Sequence, residues 1–296
     1  MRSRWPYAAP VPPAATDDEW VEQLPAAIAA CAERWGLTAG APLAGGLVGH
    51  VVACTTREGD AAALKLNPPS SDEFAGTPEQ EAAALRAWGG RGAVELLAFA
   101  PDQRALLTRR AVPGTALPAG AEHAALTAVA DVLRQLFDAT IPPVAFAPLA
   151  EAVDRNLVRK LGVAGDERAP FEALIEKARA SARSLATSAS RELLLHGDLM
   201  DKNLLRHNDR VVAIDPMPCV GDPHADIGFW AATRIPAADL DARAADLARR
   251  LTCDAVRASR WAAVFAVGAA CESWRPDTPE LRAWVGSPRA ADLLSG

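Results

Sequence analysis

The chain has 296 residues, half of them hydrophobic, and a formal net charge of −6. That length suffices for one large core or two modest domains, and no apolar run is long enough to cross a bilayer. No basic cluster offers a nucleic-acid footprint, so neither nucleic acid nor membrane is an expected partner.

The N-terminal stretch MRSRWPYAAPVPPAATDDEW has two arginines but no apolar segment behind them. Residues 1–16 therefore read as a loose leader and not a signal peptide. The five cysteines, Cys31, Cys54, Cys219, Cys253 and Cys271, are scattered, with no CxxC pair. That pattern suits reduced thiols in a cytoplasm and gives no zinc-site spacing. Of 31 basic residues only four are lysines: Lys65, Lys160, Lys177 and Lys202. Lysine is not the default surface charge here, so each one carries information.

Taken in chain order, residues 18–36 form an amphipathic helix with Trp20, Leu24, Ile28 and Trp35 on its apolar positions. Strand-like residues then flank Gly45, Gly46 and Gly49, and DAAALKL reads as a short strand. A Pro/Ser/Asp-rich loop ends at Thr77-Pro78-Glu79-Gln80. Thr as N-cap, Pro at the first helical position and Gln at the third predict a capping box. The helix that follows stops at Gly89-Gly90. AVELLAF and RALLTRR are two more strands, joined by Pro101-Asp102-Gln103. Beyond Val112-Pro113-Gly114, helical patterns dominate: 122–139, 148–161, 170–187 and most of the last 60-odd residues. The expected organisation is a small α/β lobe over 17–109 and a mostly helical lobe over 110–296, an α+β fold.

Between those helices stands LLLHGDLMDKNLL, residues 193–205. Two apolar runs enclose His196, Asp198, Asp201, Lys202 and Asn203. A surface turn is the plain explanation; a catalytic loop gripped by apolar supports is the sharper one. The pattern is H-x-D-x-x-x-x-N, the spacing of phosphoryl-transfer loops: an Asp to orient a hydroxyl and take its proton, and an Asn to bind Mg²⁺. Alone it is a common coincidence. Asp215 follows twelve residues after Asn203, and LLRHNDRVVAID reads as a hairpin that returns the chain to the loop. Three oxygen ligands beside phosphates suit Mg²⁺. Taken alone, Asp215 reads as a turn residue before Pro216.

Upstream, Lys65 lies inside an apolar strand, where its ammonium needs an anion unless it snorkels to solvent. Glu81 shares a helix face with Leu85 and Trp88, so it lies on the apolar side and needs a cation. The two are an expected ion pair, aimed at nucleotide phosphates, with Gly46 and Gly49 letting backbone come close. The chain has no GxxxxGK[ST] and is not a P-loop protein.

The order of these parts, with EAAALRAWGGRGAVELL, HGDLMDKNLL and VVAIDPMPCVGDPHADIGFW, resembles the aminoglycoside phosphotransferase family. It is most similar to the streptomycin and hydroxyurea phosphotransferase branch, over roughly residues 40–275. The resemblance implies a bilobal protein-kinase-like fold with ATP, or alternatively GTP, in the cleft. It implies Asp198 as catalytic base, Asn203 and Asp215 as Mg²⁺ ligands, His196 and Asp226 as supports of the loop, and a hinge near Thr108–Ala111 with Thr108 and Arg110 toward the nucleotide. The acceptor implied is a small-molecule antibiotic, first a streptomycin-like aminoglycoside inactivated by phosphorylation. A nucleoside or peptide antibiotic, a sugar or an amino-alcohol metabolite is the alternative. Asp201, Glu272 and Trp274 are the expected acceptor contacts, and a monomer or weak homodimer the expected assembly. The loop departs from the family in carrying Met200 two residues after Asp198, where His is usual. Asp226 follows only eleven residues after Asp215, which leaves no room for a protein-kinase activation segment. A pseudoenzyme that binds ATP without turnover is the remaining reading.

Overall fold

The computed structural model describes residues 18–43, 49–73, 76–118 and 122–296. The leader, Gly45 and Gly46 lie outside these residues. Helix α1 (Asp18–Trp35) buries Leu24 and Cys31, and Trp20, Ile28 and Trp35 pack on the same cluster, as the spacing predicts. Five antiparallel strands form the sheet beside it: β1 (Thr38–Pro42), β2 (His50–Thr55), β3 (Ala61–Leu66), β4 (Leu96–Ala100) and β5 (Ala105–Arg109), in the order β1-β2-β3-β5-β4. Side chains alternate across a strand. Ala62, Leu64 and Leu66 of β3 therefore join the α1 cluster, while Lys65 emerges on the opposite face.

Helix α2 (Pro78–Trp88) covers that opposite face. Its capping box is formed: Gln80 N donates to Thr77 Oγ1 at 3.3 Å and Thr77 N to Gln80 Oε1 at 2.9 Å. Gly89 closes the helix in the left-handed region, φ 57°. Ala82, Ala84, Leu85 and Trp88 face a core that continues without a break into the helical part of the chain.

From Arg109 the chain passes to β6 (Pro113–Ala116), which pairs with β9 (Leu204–His207) of the hairpin β9–β10 (Arg210–Ala213). Helix α3 (Glu122–Phe137) follows. Next come β7 (Ala147–Pro148), α4 (Leu149–Val163), α5 (Ala169–Thr187), β8 (Leu193–Leu195) and β11 (Cys219–Gly221). Strand β11 runs parallel to β7 and antiparallel to β8. The last five helices are α6 (His224–Thr233), α7 (Leu240–Arg250), α8 (Ala255–Ala270), α9 (Thr278–Val285) and α10 (Pro288–Ser295). Helix α8 is apolar on nearly every side and occupies the centre of this part. It meets α6 so closely that a Cβ at Gly228 would stand 2.5 Å from Ala262 N.

Backbone also joins the two parts. Val94 N donates to Ala213 O at 3.0 Å, and Ala213 N to Gly92 O at 2.8 Å. No helix among the described residues is long and apolar enough to cross a membrane. All five cysteines are free thiols, four of them buried.

Candidate active site

The site grows from the end of β8. His196 is fully buried, and its ring stacks on Trp88 of α2 with centroids 6.1 Å apart. Its Nε2 lies 3.1 Å from Ile214 O, and its Nδ1 accepts from Asp198 N at 3.3 Å. That pair of bonds needs a neutral ring with the proton on Nε2. Burial agrees, pushing the imidazole down to about 4. Asp226, in the first turn of α6, accepts from His196 N at 2.8 Å and Gly197 N at 3.0 Å. Burial nonetheless raises its carboxyl to about 6. Gly197 has φ 75°, and a Cβ there would stand 2.1 Å from Met217 O. Both features restrict this position to glycine. The implied bracing of the loop by His196 and Asp226 is thus present as geometry.

Asp198 is largely sequestered. Asn203 Nδ2 donates to its Oδ2 and to its backbone O, both at 2.8 Å, and Lys202 Nζ stands 3.6 Å from Oδ2. Among the described residues, Oδ1 is left for an incoming donor. Burial raises the Asp198 carboxyl, with Lys202 opposing.

The hairpin β9–β10 returns the chain as its sequence predicts. Ile214 N donates to Asn203 O at 2.9 Å, which delivers Asp215 to the loop. Asp215 sits at φ 56°, a left-handed conformation unusual outside glycine that Asp tolerates. Lys65 Nζ bridges the lobes: 2.8 Å from both Glu81 oxygens and 2.5 Å from Asp215 Oδ1. Burial pulls its pKa down, but the Asp215 and Glu81 carboxylates win and hold the ammonium above its usual value. The Asp215 carboxyl, penalised by burial, is held below its usual range by Lys65. The predicted Lys65–Glu81 pair is present, with Asp215 as its third member. Gly49 lies against Lys65; a Cβ there would stand 2.9 Å from Leu66 O and 3.4 Å from Lys65 Cε. Thr108 pairs with Ala63 in the sheet, and Arg110, just beyond β5, donates its backbone N–H to Ala61 O at 3.0 Å. Arg110 Nε is a buried donor with no partner among the described residues.

Two of the expected acceptor contacts have partners within the chain. Both carboxylate oxygens of Asp201 are engaged. Its Oδ1 accepts from Trp230 Nε1 at 2.9 Å and its Oδ2 from the fully buried Arg234 at 2.5 Å. Arg234 also holds Glu122, which pairs with Arg243. Asp201 therefore ties the loop to α6 and α3. Glu272, just past α8, is buried in an ion pair with Lys160 of α4. The sequence reading missed Lys160 as its partner, although the scarcity of lysine had marked it. Trp274 is half-buried in the turn after α8. A cavity of about 510 Å³ opens beside the loop, walled by Gly197, Met217, Phe229, Phe265 and the Arg155–Arg159 turn of α4.

The donor set fits a magnesium-bound nucleotide. Asn203 spends its amide N–H on Asp198, which leaves Oδ1 as a hard oxygen donor, and Lys65 takes Asp215 Oδ1, which leaves Oδ2. Mg²⁺ takes few protein oxygens and completes its shell with phosphates and water. No cluster of three or more His, Cys, Asp or Glu among the described residues has metal-holding geometry.

Known proteins are similar to this chain. The chain is 35% identical over 209 residues to the hydroxyurea phosphotransferase of Kitasatospora aureofaciens, covering 69% of this chain and 60% of that protein. It is 32% identical over 212 residues to the streptomycin 6-kinase of Streptomyces griseus, covering 70% and 66%. The match thus spans about three-fifths to two-thirds of each relative's length. In three dimensions it is similar to a choline/ethanolamine kinase family protein from Mesorhizobium loti, with a TM-score of 0.66 at 16% identity, covering 93% of this chain and 98% of that one. That likeness shows the bilobal kinase-like α+β fold. Residues 34–275, which hold every element of the site described above, match the aminoglycoside/hydroxyurea antibiotic resistance kinases, and it is to that family that the chain belongs.

Proposed function

We propose that this protein transfers the γ-phosphoryl group of ATP to a hydroxyl of a small-molecule antibiotic and so inactivates it. The observation that carries the reading is the meeting of two clusters. The nucleotide-facing triad Lys65–Glu81–Asp215 stands against the loop of Asp198 and Asn203 through the 2.9 Å bond from Ile214 N to Asn203 O.

Asp198 is the base. Its Oδ2 is fixed by Asn203, so Oδ1 accepts the hydroxyl proton as the acceptor oxygen bonds to phosphorus and the bond to ADP breaks. Lys65, steered by Glu81, holds the nucleotide phosphates. Asn203 Oδ1 and Asp215 would hold a Mg²⁺, whose charge offsets that of the phosphates. Thr108 and Arg110 flank the crossing between lobes, where the base of the nucleotide sits. Most of the rate gain is positioning and preorganised charge. One chain supplies all these groups, so a monomer suffices.

The relatives' names supply the first two acceptors to try, streptomycin and hydroxyurea. The test is intact-mass analysis of products after incubation with Mg-ATP and a panel of aminoglycosides, hydroxyurea, nucleoside and peptide antibiotics, beside an Asp198→Ala control. One phosphoryl group added to a single panel member, absent from the control, is the expected result. ATP binding without any product would replace this reading with the pseudoenzyme.

A further inference from the structure

Of the four lysines, Lys65 pairs with Asp215, Lys202 stands beside Asp198 and the charge of Lys160 reaches Asp198, while the fourth, Lys177, is exposed on α5. Two of the three have settled partners. Lys65 is shared by Glu81 and Asp215, and Lys160 is paired with Glu272. Lys202 differs. Among the described residues its one ion-pair partner is Asp198, at 3.6 Å, longer than a hydrogen bond. Its charge is nevertheless felt at Asp198, Asp215 and His196 alike. The ammonium therefore stands beside Asp198, on the loop whose Asn203 O holds Ile214 N and so the strand end that carries Asp215.

In the phosphotransferase reading, the transferred phosphoryl group passes between Asp198 and the Lys65–Asp215 pair. An acceptor hydroxyl that bonds to Asp198 Oδ1 weakens the carboxylate's hold on Lys202, which no hydrogen bond fixes to Oδ2, and frees the ammonium for another anion. The nearest one is then the phosphoryl group, whose charge spreads over three equatorial oxygens in the transition state. Met200 supplies no polar group on this part of the loop. A compact ammonium with three donors on a flexible stem can follow that charge, whereas a guanidinium fork is fixed in plane. This explains a lysine here in a chain that otherwise favours arginine.

We propose that Lys202 is a catalytic residue of the phosphoryl transfer: it leaves Asp198 when the acceptor binds and holds the equatorial oxygens of the phosphoryl group in flight. The proposal rests on the phosphotransferase reading above.

The test compares wild type, Lys202→Met, Lys202→Arg, Asp198→Ala and a Lys177→Met control. Calorimetry measures binding of Mg-ADP alone and of Mg-ADP with aluminium fluoride, which stands in for the phosphoryl group in flight. In wild type and Lys177→Met, fluoride tightens Mg-ADP binding. In Lys202→Met that tightening is lost while affinity for Mg-ADP alone and the melting temperature stay at wild-type values; Lys202→Arg recovers part of it. With an acceptor from the panel, kcat of Lys202→Met falls about 100-fold, the cost of losing one preorganised donor, with little change in KM. Undiminished tightening in Lys202→Met overturns the role of Lys202 and leaves the phosphotransferase reading intact. No tightening in wild type, with no product from it either, overturns both.

Discussion

Asp198 and His196 are adjacent in function and opposite in charge state. Burial disfavours the Asp198 carboxylate, so the group costs stability while it waits for substrate. Asp198→Asn removes that cost. Its kcat should fall by about 10²–10⁴, the usual contribution of a general base, while its melting temperature equals or exceeds wild type. His196 is buried neutral, with its folded pKa depressed to about 4. A depressed folded pKa gives stability that is complete above the unfolded value, near 6.5, and is lost as pH falls toward 4. The full loss is about 3 kcal/mol for a shift of this size. Protonating Nδ1 would also destroy its bond from Asp198 N. Asp226, raised to about 6, works in the opposite direction between about 4 and 6. Chemical denaturation of wild type and His196→Gln from pH 7 to pH 4 separates the two. The variant should lose less stability on acidification, and an equal loss in both would remove His196 as the cause.

Helix α2 is the element through which sequence reaches the site. Its capping box fixes where it starts, Glu81 then meets Lys65, and Trp88 two turns later meets His196. Thr77→Ala removes the cap and should cost about 1 kcal/mol of stability. Because the same helix aims Lys65, the KM for ATP should rise with kcat less affected. A lowered melting temperature with an unchanged KM for ATP would separate the cap from the site. The cap and the Lys65–Glu81 pair were legible in the sequence because capping and helical spacing are local signals; the Trp88–His196 stack, 108 residues apart, was not. The hairpin that delivers Asp215 was legible for the same reason. What escaped was non-local or short. Lys160 and Glu272 lie 112 residues apart, and no pattern links them. Asp201 read as an acceptor contact because Arg234, which claims it, is 33 residues away on another element. Strands β6, β7 and β11 have four, two and three residues, too few for alternation to show.

At the scale of the molecule, two lobes do not mean two cores. One apolar cluster holds α1 against the outer face of the five-stranded sheet. The inner face, with Leu106 and α2, belongs to the large cluster built by α3, α5, α6 and α8. Cutting the chain after Arg109 would therefore strip α2 of its packing and leave fully buried Trp88 in water. A fragment of residues 18–109 should show no cooperative melt by circular dichroism, whereas the whole chain melts cooperatively. A folded fragment with its own sharp transition would mean that the outer cluster is sufficient.

The distribution of lysine has a practical consequence. An amine-directed label has four side-chain targets here, and three of them surround the proposed reaction centre. Only a neutral amine acylates, so Lys65, whose two carboxylates secure its proton, should be the slowest to react. Peptide mapping of a partly labelled sample then reads the condition of the cleft directly. Native chemistry provides a built-in reporter, with no cysteine engineering and no fluorophore.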